Sequence, residues 1–290
     1  MAVQWPLLIF SVLLGVTSGS FVFIGVGEFM GKFKEVRFTG VLIALACLVI
    51  GGIASAFHLG HPERATHLLG NLGSGLTKEL AAVVVMAIVA IAYAVLVRKD
   101  YPAARKALGI AGAVAGVALP IIAGASYLMA ARPAWDSATL PLMYLGGGLG
   151  SGMTLMAALV LAKGDASPSD EQKLAVKLAI AGMVVLVVLS LAYVAWIGLA
   201  PHQADSRSIG RLMAGDLAFA FWLGVVGVGL AAPCILAGLA WKTMGGPVAA
   251  AARRASSYLF AACACSVVGA VVLRVIMYAV GTSVEAFIYR

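Results

Sequence analysis

The feature that most constrains this chain is an apolar segment, repeated many times, of the length that crosses a lipid bilayer. A transmembrane helix needs roughly 20 consecutive apolar residues. Segments of about that length cover residues 6–30, 38–57, 79–97, 107–130, 139–162, 174–199, 216–240 and 255–280. Hydrophobic residue types make up 62% of the 290 residues and charged types only 11%, so little chain remains for a water-soluble domain. We predict an all-α integral membrane protein, a bundle of about eight transmembrane helices that forms a single domain over residues 1–290.

The distribution of basic residues predicts the topology of this bundle. A formal charge of +8 would suit nucleic acid only if Lys and Arg formed one face or arm, and here they lie at the ends of the apolar segments. The connections after the first, third, fifth and seventh segments hold 13 Lys and Arg when Lys177, near the start of the sixth segment, is counted with them, against 6 in the termini and the other connections. By the positive-inside rule the richer set is cytoplasmic. We therefore predict that both termini and the connection 58–78 lie outside.

Three charged residues are candidates for a position at membrane depth: Glu28, Glu79 and Arg274. A charge at the centre of a membrane helix costs roughly 2.5–3.5 kcal/mol on insertion scales, so such residues usually have a function. The predicted topology places Glu28 at the inner end of the bundle. Glu79 and Arg274 both fall towards the outer side.

Further titratable and aromatic residues converge on that outer end. The connection after the second segment contributes His58, His61, Glu63, Arg64 and His67. The fourth segment delivers Tyr127, Arg132 and Trp135 at its outer end, and the eighth segment contains Tyr278. For Trp135 and Tyr278, the alternative is an interfacial belt of anchoring aromatic residues. His58 is a candidate for function, because His is the side chain whose unperturbed pKa lies nearest neutrality, which suits proton exchange with a reducible ring.

The sequence predicts neither haem nor a bound metal. Haem in membrane redox subunits is often held between His residues of different helices. The four His residues all lie in outer connections or at helix ends, so no facing pair is expected within the bundle. The four Cys residues lie in apolar segments without Cys-x-x-Cys spacing, which argues against zinc or an iron–sulfur cluster.

Glycine clusters within the apolar segments predict close helix packing. The stretches Gly15–Gly19 and Gly148–Gly152 both have small residues four positions apart, a spacing that lets helix backbones approach closely in a membrane. A phosphate-binding loop is the alternative, but such loops follow a strand, and no strand is expected here. The similar glycine content of the first and fifth segments hints at a duplicated four-helix unit, but the remaining segments do not align, so the sequence does not establish a repeat.

Four stretches of sequence carry a resemblance to a known family. They are WPLLIFSVLLGVTSGSFV (Trp5–Val22), SAFHLGHPERA (Ser55–Ala65), GSGLTKEL (Gly73–Leu80) and YLMAARPAWDS (Tyr127–Ser137). The chain resembles the membrane-anchor subunit of dimethyl sulfoxide reductase, the DmsC family. The His-Leu-Gly-x-Pro-x-Arg-Ala core is the most specific part. Beyond residue 140 the match rests on hydropathy and on Arg274-x-x-x-Tyr278.

The resemblance implies a multi-pass subunit of the bacterial cytoplasmic (inner) membrane that serves anaerobic electron transport. Such a subunit binds menaquinol, or another quinone, and anchors an iron–sulfur partner that leads to a molybdopterin catalytic subunit. The family ties a His and an acidic residue to the quinol site, and these map onto His58 and Glu79. Further candidate quinone-binding residues are Arg64, Tyr127, Arg274 and Tyr278. Quinol oxidation releases two protons and two electrons, so His58 and Glu79 would accept protons and the partner would accept the electrons.

Three alternatives to quinol oxidation remain open from the sequence. Related anchors pass electrons the other way, from a donor such as sulfite into the quinone pool, as in sulfite dehydrogenase. A secondary transporter would also have many helices, but its polar groups usually lie near the midplane. A passive anchor would leave Glu79 and Arg274 at membrane depth without a use. In either redox direction the terminal substrate belongs to the partner, so this chain is the quinone-reactive subunit of an oxidoreductase complex and is not itself catalytic toward that substrate.

The position of the candidate site predicts where the iron–sulfur partner docks. Electron transfer slows steeply with distance, so the nearest cluster must sit beside the quinol site. We expect the partner to contact the outer connections 58–78, 131–138 and 200–215. Exposed residues such as Arg64, His202, Arg207 and Arg211 are candidates to pair with its carboxylates.

Overall fold

The computed structural model describes residues 3–57, 73–163, 169–245 and 251–281. Within these ranges there is no strand, and eight helices are long and apolar enough to cross a membrane. The helices are α1 (Trp5–Met30), α2 (Arg37–Ala56), α3 (Gly75–Val97), α4 (Pro102–Ala125), α5 (Thr139–Lys163), α6 (Asp170–Leu199), α7 (Gln203–Met213), α8 (Ala220–Thr243) and α9 (Ala251–Val280). All except the short α7 are candidate spans. The predicted all-α membrane fold is confirmed.

The spans form two groups of four with the same order of neighbours. In the first group α1 packs on α2 and α4, and α3 closes the ring by packing on both of these. In the second group α5 packs on α6 and α9, and α8 closes the ring in the same way. The central helices α1 and α5 also pack on each other and join the groups. The two groups of four therefore share one packing order, which the sequence had not established as a repeat.

Glycines allow α1 and α5 to touch along their backbones. A Cβ atom on Gly19 would lie 2.9 Å from the Cα of Gly152, and a Cβ on Gly148 would lie 2.9 Å from the carbonyl oxygen of Gly15. Such distances leave no room for any side chain. Close packing is the main source of helix association in a membrane, where lipid tails are as apolar as the helices. The predicted role of both glycine stretches is confirmed.

Two helix boundaries differ from the sequence prediction in ways that shape the candidate site. Helix α3 begins at Gly75 rather than 79, because the Ser74 hydroxyl caps it by accepting a hydrogen bond from the Thr77 N–H at 3.1 Å. Helix α4 ends at Ala125 rather than 130, and the Ser126 hydroxyl donates to the carbonyl of Ala123 at 2.7 Å. The apolar residues after Ser126 cross the end of the bundle instead of extending the helix.

The later part of the chain departs from regular spans at two points. The predicted connection 200–215 contains the helix α7, whose buried face includes Ala204, Ser208 and Leu212 at every fourth position. In α8 the residues Ala220–Ala231 form a π-helix, which ends just before Pro233. A proline has no N–H to donate within a helix, and wide π turns often occur at functional positions.

We name the two ends of the bundle after their buried carboxylates. The Glu79 end holds the starts of α1, α3, α5 and α8, and the opposite Glu28 end holds their other termini. Because the spans alternate in direction, the first and last described residues, Val3 and Gly281, both lie at the Glu79 end. The assignment of this end to the outside stays a prediction.

Candidate functional site

The carboxyl of Glu79 is held inside the protein at the second turn of α3. Glu79 is only 8% exposed, and the hydroxyl of Ser126 lies beside its carboxyl at the end of α4. Gly75, one turn earlier, allows this approach, since a Cβ there would lie 3.3 Å from the Cα of Ser126. The early start of α3 and the early end of α4 therefore place a carboxyl and a hydroxyl together.

Aromatic side chains from several elements surround this carboxyl. The ring centroid of Tyr127 lies 6.1 Å from that of Trp135, 5.9 Å from that of Tyr144 and 6.1 Å from that of Tyr278. The hydroxyls of Tyr127 and Tyr278 are 3.1 Å apart. The rings of Trp135 and Tyr278 meet the Tyr127 ring edge-to-face, and the Tyr144 ring is tilted against it, contacts that favour a fixed geometry. Two of the predicted site residues, Tyr127 and Tyr278, are thus in direct contact.

The Tyr127 hydroxyl is held in its protonated form. Burial raises the pKa of this phenol well above its ordinary value, and the neighbouring rings of Tyr144 and Tyr278 add to the effect. A phenol that does not ionise can donate a hydrogen bond to an oxygen atom at any physiological pH.

Arg274 is a buried cation that lacks a counter-charge among the residues that the structure describes. It is 3% exposed, and its Nε donates to the hydroxyl of Ser11 at 2.9 Å while its Nη1 donates to the carbonyl of Ala270 at 3.2 Å. The guanidinium lies 4.4 Å from the ring centroid of Tyr144. No carboxylate of the described residues forms an ion pair with it. Because a buried charge is costly unless it is compensated, an electron-rich group from outside the chain would suit this position.

The loop between α4 and α5 covers the cluster from the end of the bundle. The indole N–H of Trp135 donates to the carbonyl of Met277 at 2.8 Å, and Arg132 donates to the carbonyl of Gly281 and lies 5.0 Å from the Trp135 ring. Trp135 and Tyr278 are each 2% exposed. An interfacial belt requires rings that face the membrane–water boundary, so the belt interpretation of these two residues is wrong.

The structure brings together four of the predicted site residues: Glu79, Tyr127, Arg274 and Tyr278. His58 and Arg64 lie outside the described residues, as do His61, Glu63 and His67. Glu28 lies at the opposite end of the bundle, where it contacts Tyr93 and Arg105. Of the intramembrane charges, Glu79 and Arg274 share one end as expected.

Two residues of this region were missed by the sequence analysis. Tyr144 is the first residue of the glycine-rich run YLGGGLGSG in α5. Its ring packs against the Arg274 guanidinium. Asp205 is fully buried in α7, and neither of its oxygens accepts a hydrogen bond from a described residue. Burial raises the pKa of Asp205, while the charge of His202 opposes the rise. Asp205 lies in a polar segment, where a carboxylate gives no sequence signal of burial.

An apolar groove on the outer surface of α3 and α4 leads towards the site. Its volume is about 540 Å³. Small side chains such as Ala82 and Ala118 create the depression, and Gly75 and Ser126 lie at its Glu79 end. The groove therefore runs along the lipid-facing surface to the hydroxyl that contacts the buried carboxyl.

Residues 1–206 match the family described as DMSO reductase anchor subunit (DmsC). This chain belongs to the DmsC family. A similar protein is the anaerobic dimethyl sulfoxide reductase chain YnfH of Escherichia coli (strain K12), which is 31% identical over 198 residues, or 65% of this chain and 70% of that one. The DmsC match covers α1 to α6 and includes Glu79, Tyr127 and Tyr144, and it ends before Arg274 and Tyr278.

Membership of the DmsC family establishes the general role of the chain. It is a membrane-anchor subunit and a multi-pass membrane protein, and the family description implies catalytic and iron–sulfur partner subunits. This favours the anchor interpretation over a secondary transporter.

Proposed function

We propose that the chain oxidises menaquinol in the bacterial inner membrane and passes the electrons to an iron–sulfur partner, which supplies a molybdopterin catalytic subunit. The observation that carries this proposal is that a buried carboxyl, Glu79, and a buried cation, Arg274, act on the same two tyrosines, Tyr144 and Tyr278, near a groove open to lipid. Arg274 forms no ion pair with any residue that the structure describes. Membrane quinols have a polar ring with two oxygen atoms and a long apolar tail. A site for them needs polar groups at depth and an apolar approach.

Each polar group of the cluster has a role in this reaction. Glu79 accepts a proton from one ring hydroxyl of the quinol. Arg274 stabilises the negative charge that develops on a ring oxygen as its proton leaves. The phenols of Tyr127 and Tyr278 orient the ring by hydrogen bonding. His58, together with Arg64, completes the site by analogy with the family, with His58 as acceptor of the second proton.

The same groups serve the reverse reaction, in which a donor such as sulfite reduces the quinone pool through the partner subunits. A proton acceptor in one direction is a proton donor in the other. Assays of the purified complex with candidate substrates in both directions decide which one operates.

The groove between α3 and α4 is proposed to hold the prenyl tail, and this can be tested by filling it. The variant Ala118→Trp is expected to raise KM several-fold for a long-tailed menaquinol, because the indole would occupy the groove. KM for a short-tailed soluble quinol should stay the same, since its ring reaches Glu79 without the groove. The measurement is steady-state turnover of the purified complex with both quinols.

A matched control is available on another lipid-facing helix. Ala181 of α6 is exposed and lies outside the groove, so Ala181→Trp should leave both KM values unchanged. An equal rise of KM for both quinols in Ala118→Trp would count against the tail assignment while leaving quinol oxidation itself in place.

The iron–sulfur partner is proposed to dock at the Glu79 end, against 58–78, 131–138 and 200–215. The α4–α5 loop and α7 lie at this end, and Arg207 is exposed on α7. Arg211 is less suited than expected to pair with the partner. It forms hydrogen bonds of 2.8 and 2.6 Å with Asp216, which hold the pKa of that carboxyl below its usual range.

Cross-linking from single cysteines tests this docking surface. A cysteine at Arg207 should form adducts with the iron–sulfur subunit in the assembled complex. A cysteine at Lys99, which is exposed at the Glu28 end, should form none. Adducts from position 99 alone would show that the partner binds the other end of the bundle.

A further inference from the structure

A second polar cluster occupies the Glu28 end, far from the proposed quinol site. Glu28 is 3% exposed near the end of α1. Its Oε1 accepts hydrogen bonds from the Tyr93 hydroxyl at 2.7 Å and from Arg105 Nε at 3.0 Å. Arg37 Nε lies 2.8 Å from the same oxygen as an ion pair, without the alignment of a hydrogen bond. One carboxylate therefore holds two guanidinium groups, and the cluster carries an excess positive charge.

The orientation of the two guanidinium groups leaves their outer nitrogens available. Arg37 and Arg105 both approach Glu28 through Nε. Within the described parts of the chain, the Nη1 and Nη2 atoms of neither residue donate a hydrogen bond to protein. A guanidinium held in this way presents a planar fork of donors, the geometry that matches phosphate oxygens.

These forks lie in a surface depression that is basic on one side and apolar on the other. Lys34 and Lys106 also line it, and Glu28 is the single acid among its described lining residues. Phe29 and Met30 form its apolar side and are 70% and 46% exposed. Four cations thus surround one anion that is already paired, next to apolar side chains at the end of a transmembrane helix.

We propose that this depression binds the phosphate headgroup of an anionic phospholipid. The end of a membrane span lies at the depth of the lipid headgroups, and basic residues there attract anionic lipids. The exposed Phe29 and Met30 fit the start of the acyl chains, a contact that a soluble phosphate cannot make. The proposal concerns the end of the bundle opposite Glu79 and does not depend on quinol oxidation.

The test compares two double variants that remove the same charge. Lys34→Gln/Lys106→Gln alters the depression but keeps the Glu28 ion pairs. Arg253→Gln/Arg254→Gln alters two exposed residues that also lie at the Glu28 end, at the start of α9, and do not line the depression. The assembled complex is purified in detergent, incubated with phosphatidylglycerol or phosphatidylcholine, and analysed by native mass spectrometry for bound lipid.

We expect the unaltered complex to retain phosphatidylglycerol in preference to phosphatidylcholine. The depression variant should bind phosphatidylglycerol about thirtyfold more weakly, taking the usual contribution of a basic residue beside anionic lipid for each Lys. The control variant should bind it normally. Inorganic phosphate in excess should not displace the lipid.

Three results would overturn the proposal. An equal loss in both double variants would mean that the lipid responds only to the general positive charge of this end. Displacement by inorganic phosphate would assign the depression to a soluble anion. Loss of a partner subunit from the depression variant, with bound lipid unchanged, would assign it to a protein interface.

Discussion

The variant Glu79→Gln is expected to lower quinol-linked turnover of the assembled complex by about 10²–10⁴-fold, the usual contribution of a general base. Glutamine has nearly the same shape and can still lie beside Ser126, so the packing of α3 against α4 should be retained. It cannot accept a proton from a quinol hydroxyl. On the family resemblance, His58→Gln is expected to have a similar effect.

The activity of the partner subunits with a soluble dye separates loss of chemistry from loss of assembly. Dye-linked turnover bypasses the quinol site and should stay normal in Glu79→Gln. The exposed carboxylate Glu35, at the opposite end of the bundle, provides the matched control, and Glu35→Gln should retain both activities. Normal quinol turnover in Glu79→Gln would remove this carboxyl from the mechanism.

Hydropathy predicted the spans well because crossing the hydrocarbon places a physical requirement on each segment by itself. Every backbone group must be paired inside the hydrocarbon, so an apolar segment of sufficient length becomes a helix. The same reasoning overextended the fourth span to 130. Leu128 and Met129, which follow the helix, are apolar but 42% and 47% exposed, and hydropathy does not register where the backbone leaves the helix.

The glycine stretches were predictable for a different reason. Small residues four positions apart lie on one helix face, and a face without side chains has few uses in a membrane other than close contact. The pattern did not identify the partner of each face. Only the fold shows that the glycine stretch of α1 packs against the glycine stretch of α5.

The candidate site was predicted in part. Glu79 and Arg274 stand out in sequence because a charge within an apolar segment is costly, and counting spans places both at one end. Tyr144 and Asp205 carry no such signal. A span that is apolar all round does not reveal which face points inward, so the contact of Tyr144 with Arg274 depends on a helix rotation that the sequence leaves undetermined. Asp205 lies in a polar segment where a carboxylate is ordinary.

The largest effect on stability is expected from a single methyl group at the contact between α1 and α5. In Gly19→Ala, the new Cβ would lie 2.9 Å from the Cα of Gly152 and 3.0 Å from the carbonyl carbon of Gly148. Both are backbone atoms, so relief requires the two helices to move apart. Overpacking of this kind typically lowers the free energy of unfolding by about 1–3 kcal/mol.

A glycine of α2 provides a control with the opposite expected sign. No described atom lies within 4 Å of a Cβ built on Gly52, and alanine is favoured over glycine within a helix by about 1 kcal/mol. Gly52→Ala should therefore leave stability unchanged or raise it. The measurement is the unfolding midpoint of the purified chain in a titration with a denaturing detergent. Since α1 and α5 join the two groups of four spans, equal midpoints for Gly19→Ala and Gly52→Ala would mean that the two groups are not held together by this backbone contact.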